Sequence, residues 1–181
     1  MYNSQRTPDF YGSRRPTIDE YMAKREYFKD LRPLRTTPDG TVQGEWTTGI
    51  DQEDRTPTYE RTVQTTVANI SMRTDVGGPR SKYELNEDSL ALIANKDRTV
   101  IAIVDGAGGS GNNKLLFRAG RLASRVVDGA LIKAVREHKA DLGEAVHQEV
   151  VAQYHEYEGY ATGVIVDITS RDRKLFVRLQ Y

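Results

Sequence analysis

The sequence predicts an α+β domain, with antiparallel strand hairpins on either side of a helix pair. Three observations carry this reading. Two short apolar runs, 89–94 and 99–104, flank the turn Asn95-Lys96-Asp97-Arg98. A second pair, 161–168 and 174–179, flanks Ser170-Arg171-Asp172-Arg173. Between the two pairs the apolar spacing switches to helical periodicity. Strands in hairpins around two helices argue against a parallel doubly wound sheet.

Taken in order, residues 1–62 read as a polar extension, because much of the segment is aperiodic and buries little apolar surface. One helix is expected inside it, from about Ile18 to Leu31, with Thr17 and Glu20 as a capping box and Pro33 as its stop. Tyr21, Phe28 and Trp46 are the side chains expected to dock this extension on the main domain. From 63 the pattern tightens. Val63 to Met72 reads as a strand, and Asp75-Val76-Gly77-Gly78-Pro79 as a turn cluster. The continuous apolar run Thr99 to Val104 predicts a buried central strand, followed by a glycine-rich loop from Asp105 to Gly111. Leu122, Val126, Ala130, Ile132 and Val135 give the first helix, about 119–137, an apolar face; a second helix spans about 142–157.

Composition excludes several classes. Lys+Arg and Asp+Glu balance at 26 each in the 181-residue chain, which offers no electrostatic footprint for nucleic acid. The absence of cysteine removes disulfide frameworks and thiolate metal sites, and suits a cytoplasmic protein. No apolar run reaches the ~20 residues of a membrane helix, and the polar start Met1-Tyr2-Asn3-Ser4-Gln5-Arg6, with no apolar stretch behind it, does not read as a signal peptide. His138, His147 and His155 share no helical face and read as surface residues. Tyr154, Tyr157 and Tyr160 read as packing against the next strand. Lys133, Arg136 and Lys139 read as a solvated helix face.

Two acidic motifs carry the chemistry. Asn86-Glu87-Asp88-Ser89 opens one strand of the first hairpin, and Val104-Asp105-Gly106-Ala107-Gly108-Gly109 closes the other. Either alone is a common turn or polar loop. At the open end of one hairpin they converge, and clustered carboxylates stay ionised only beside positive charge. Oxygen donors of this kind suit hard divalent cations such as manganese or magnesium, with the Gly106 carbonyl as a further ligand. Two ions sharing Asp105 could activate water for attack on a phosphate.

These motifs resemble the opening motifs of the PPM-type (type 2C) protein phosphatases. Arg73-Thr74-Asp75-Val76-Gly77, Ala123-Ser124 and Ala161-Thr162-Gly163 are similar to further stretches of that family, so the resemblance covers roughly residues 65–181. It implies a β-sandwich flanked by helix pairs, with 63–181 as the N-terminal portion of the domain. It also implies hydrolysis of phosphoserine and phosphothreonine in phosphoprotein substrates by two manganese or magnesium ions. Carried over by position, Asp105 bridges the ions, Gly106 ligates through its carbonyl, Glu87 contacts one ion directly, and Asp88 holds a metal-bound water. The family's phosphate-gripping arginine has its nearest counterparts in Arg80 and Lys82, and Ala107 stands where the family has His or Met. The resemblance implies a Gly-Asp motif and two more metal-binding aspartates after Tyr181. The domain is thus expected to be truncated and this chain alone to turn over little.

Two other readings compete. A catalytically inactive pseudophosphatase or regulatory binding module would carry the same incomplete motifs. A nucleotide site is suggested by Gly106-Ala107-Gly108-Gly109-Ser110-Gly111, with Asp128 as the acid for a ribose. Against it stand the charge of Asp105 beside a pyrophosphate and the two helices before the next strand.

Overall fold

The computed structural model describes residues 26–48, 58–75, 86–107, 117–153 and 159–181. In chain order the elements are α1 (Glu26–Lys29), β1 (Arg35–Thr36), β2 (Val42–Thr47), β3 (Thr58–Gln64), β4 (Asn69–Asp75), β5 (Ser89–Ala94), β6 (Arg98–Ala107), α2 (Phe117–Arg136), α3 (Leu142–Gln153), β7 (Tyr160–Arg171) and β8 (Lys174–Gln180). Six strands form one antiparallel sheet in the order β1-β2-β5-β6-β7-β8, and β3 and β4 form a separate antiparallel pair. The chain is α+β with a mainly antiparallel sheet. No helix among the described residues is long and apolar enough to cross a membrane.

The centre of the sheet is apolar on both faces, as its sequence requires. All of β5 is buried. Its Ala91 and Ile93, with Val100, Ala102 and Val104 of β6, pack under Leu122, Val126, Leu131 and Val135 of α2. The alternate residues Leu90, Leu92 and Ile101 meet Ile70 and Met72 of the β3–β4 hairpin, with Trp46 beside them. Strand alternation thus sorts one run of residues between a helical layer and a hairpin layer. α3 is started by Asp141, whose Oδ1 accepts the Glu144 N–H at 3.0 Å. α2 ends where His138 takes a left-handed φ of 54°.

Several elements differ from the sequence reading. Residues 42–47, counted with the polar extension, form β2 and pair with β5. Of the expected helix at 18–31, residues 26–29 are helical and the part before 26 lies outside the described residues, Tyr21 with it. Phe28 and Trp46 are both buried. The single strand read at 63–72 is two strands. Their turn lacks glycine and proline; the Thr65 hydroxyl closes it instead, accepting the Ala68 N–H at 3.1 Å. Thr99 of β6 donates to that same hydroxyl at 2.9 Å, tying the hairpin to the sheet. The turn cluster at 75–79 lies outside the described residues beyond β4. Tyr160 is 64 % exposed, while Tyr154, Tyr157 and His155 lie outside the described residues. His138 and His147 are exposed.

Arg136 is not part of a solvated face. It donates to the nearly buried Glu45 carboxylate through Nε at 2.9 Å and Nη2 at 2.5 Å, and to the Asp30 carbonyl at 2.8 Å. One guanidinium so joins α2, β2 and the segment after α1. Lys133 pairs with Glu149 of α3 at 2.6 Å. Arg136→Gln leaves the Glu45 charge without its fork. The expected loss is about 2–3 kcal/mol, below the full value for a buried pair because water reaches the arginine. A lower urea midpoint at unchanged slope checks it.

At the far edge β8 is exposed along its length, with Leu175, Phe176, Val177 and Leu179 each more than half exposed.

Candidate acidic site at the end of the central hairpin

Antiparallel pairing places the two acidic motifs. β5 and β6 pair from Ala94↔Thr99 to Ser89↔Val104. One step further along the same register, Asp88 stands opposite Asp105 and Glu87 opposite Gly106. Residues opposite one another share a face, so Asp88 and Asp105 leave the sheet together on the side of the β3–β4 hairpin. The glycines do not end the strand at Asp105: β6 continues through Asp105, Gly106 and Ala107, paired with Thr162, Ala161 and Tyr160 of β7. Residues 108–111 of the expected loop lie outside the described residues.

Asp88 is half-buried and held from several sides. Its N–H is donated to Asn86 Oδ1 at 3.0 Å, its Oδ2 accepts from the Thr74 hydroxyl at 3.2 Å, and Asn86 Nδ2 donates to that hydroxyl at 3.3 Å. The Gly106 N–H also points at its carboxylate, and Asp105 lies within hydrogen-bonding reach. Burial and then the neighbouring Asp105 charge hold the Asp88 carboxyl above the usual aspartate range, against the pull of Thr74 and Gly106.

At Gly106 the backbones of the sheet and α2 approach closely. A Cβ there would lie 2.3 Å from the Gly120 carbonyl oxygen of α2 and 2.5 Å from that of Glu87. Only a residue without a side chain lets the backbones meet. Behind it, the Ser124 hydroxyl donates to the Glu87 carbonyl at 2.7 Å.

The sequence-predicted residues are thus partly assembled. Asp88, Asp105 and the Gly106 backbone come together. Glu87 precedes Asp88 in the chain and has its Oε1 shut off from solvent. Among the described residues no group of three His, Cys, Asp or Glu side chains is gathered. Arg80 and Lys82 lie outside the described residues. Sequence reasoning missed Thr74, which joins the site only because β4 folds over it. The donor set fits a hard divalent cation: paired carboxylates whose mutual repulsion a positive ion relieves, with backbone oxygens close by.

Asp128, the acid of the nucleotide reading, is fully buried on α2 between Ser89 and Thr47. The strands around the glycines, β6 and β7, are antiparallel, not the parallel pair of a dinucleotide-binding unit.

A raised carboxyl favours the folded state while it holds its proton. The stability Asp88 contributes is present below the ordinary aspartate value, about 3.9, and is lost as pH rises through its higher folded value. Asp88→Asn removes that loss. In metal-free buffer at pH 7 it is expected to melt on the order of 1–2 °C above the parent, a small shift because solvent screens the pair. The two melting curves converge below about pH 4. Calorimetry across that range is the check.

Compared with protein-family models, curated proteins and solved structures, the chain matches none.

Proposed function

We propose that this chain carries the acidic end of a metal-dependent phosphoester-hydrolysing site of the PPM type. It acts on phosphoserine or phosphothreonine in a protein substrate, in the cytoplasm. The observation that carries the reading is the placement of Asp88 opposite Asp105 at the open end of the β5–β6 hairpin. The three-layer arrangement supports it: a hairpin on one face of the sheet and two helices on the other suit the proposed sandwich flanked by a helix pair.

In this reading Asp105, Glu87 and the Gly106 carbonyl are the ligands this chain would supply to two manganese or magnesium ions. Bound, the ions supply positive charge that favours hydroxide over water and offsets charge on the phosphate. Asp88 orients the attacking water by accepting its hydrogen bond. Thr74 and the Gly106 N–H keep that carboxylate from swinging away. Arg80 and Lys82 are assigned to the substrate phosphate.

The test is hydrolysis of a chromogenic phosphate monoester with manganese, beside calorimetric titration of the metal. Uptake with turnover, both lost in Asp105→Asn, supports the enzyme. Uptake without turnover favours an inactive phosphatase-like module. No uptake of either ion overturns the metal site.

A further inference from the structure

Beneath the acidic pair, on the helical side of the sheet, lies a closed polar cluster that the proposed chemistry does not use. Asp128, Arg125 and Ser124 of α2, Ser89 of β5, and Thr47 and Thr48 at the end of β2 are all completely buried. Asp128 Oδ1 accepts from the Ser89 hydroxyl at 3.0 Å, and its Oδ2 accepts from the Thr47 hydroxyl. Arg125 Nη1 lies 3.5 Å from the same Oδ2 and donates to Thr48 Oγ1, which also accepts the Leu90 N–H at 3.2 Å. One turn earlier on α2, the Ser124 hydroxyl is shared between the Glu87 carbonyl at 2.7 Å and the Arg121 carbonyl at 2.9 Å.

Such a cluster is a poor way to gain stability. Both charges have left water, and apolar side chains of the same volume would do as well or better. What it supplies is direction. Glu87 and Ser89 flank Asp88, and each is tied to α2, one through its carbonyl and the other through its hydroxyl. With both neighbours fixed, the intervening residue has one way to face, out of the opposite side of the sheet toward Asp105.

We propose that Asp128 is a positioning residue which, through Ser89 and together with Ser124, aims Asp88 at Asp105. This rests on the reading of Asp88 and Asp105 as the working pair. It assigns to α2 a role in presetting the site, whose groups must be held to within ~0.5 Å.

Three variants of the full chain test it: Ser89→Ala, Asp128→Asn and, as a control for plain loss of packing, Val146→Ala, buried on α3. Two readouts are needed. One is the amide proton shift of Gly106 in the ¹⁵N-labelled protein, which senses its bond to the Asp88 carboxylate without any metal. The other is manganese affinity by calorimetry. The expected result is that Ser89→Ala and Asp128→Asn both move the Gly106 signal upfield and weaken manganese binding about 10-fold, the low end for residues that orient metal ligands. Val146→Ala lowers the melting temperature and moves neither. If the Gly106 signal stays in place in folded Ser89→Ala and Asp128→Asn, the cluster is merely structural and the inference is overturned. If Asp128→Asn does not fold, Ser89→Ala decides alone. A Gly106 signal that moves in the two variants when the parent chain takes up no manganese supports the positioning role and overturns the metal reading.

Discussion

Asp105→Asn is expected to abolish the manganese response of this protein. On the proposed metal site, millimolar manganese is expected to raise the parent's melting temperature, because an ion bound only by the folded state stabilises it by mass action, about 2.7 kcal/mol at a hundredfold excess over Kd. In the variant the rise disappears and calorimetric affinity falls at least ~100-fold, since the shared ligand is gone. The substitution is nearly isosteric, so the pairing of β6 with β7 at Thr162 has no reason to change. Without metal the variant is slightly more stable than the parent, because one of two facing charges is removed. Opposite signs with and without metal distinguish a lost ligand from a damaged fold. A variant that melts lower in both buffers would point to damage.

The second large effect is expected at Gly106. Gly106→Ala places a methyl group 2.3 Å from the Gly120 oxygen and 2.5 Å from the Glu87 oxygen. Both are backbone atoms, so no side chain can swing aside. Relief requires α2 to lift from β6, over a contact formed by Val104, Leu122 and Val126. The expected loss is about 3–5 kcal/mol, the range of severe overpacking in a core. Urea denaturation measures it. Gly40→Ala is the comparison: its φ of 83° strains a side chain, but nothing lies within 4 Å, so about 1 kcal/mol is expected. Equal losses at the two glycines would refute the close-approach argument.

How much of this was legible in the sequence depends on how far apart the partners lie. The β5–β6 hairpin is local: apolar runs and a polar turn announce it, and its register brings Asp88 opposite Asp105. α2 is legible because its apolar spacing is repeated over twenty residues. β2 was hidden, since Val42-Gln43-Gly44-Glu45-Trp46-Thr47 shows no clean alternation. Its Glu45 is tolerable inside only because Arg136 arrives from 91 residues away. The end of β6 was misread because glycines suggest a loop, whereas here Gly106 serves a close approach. Asp128 looked like a ribose acid, yet its hydroxyl partners come from 39 and 81 residues away, a separation that periodicity does not sense.

The sheet is not equally sealed along its width, and this bears on where motion lives. Strands β5 and β6 have hydrogen-bonded neighbours on both sides, whereas among the described residues β8 has one neighbour and is exposed along its length. Fluctuations that break backbone bonds therefore begin at the outer ribbon and fade before the central strands. The two aspartates ride on the quiet side of that gradient. Breathing at the rim can proceed while the distance between the acids holds steady.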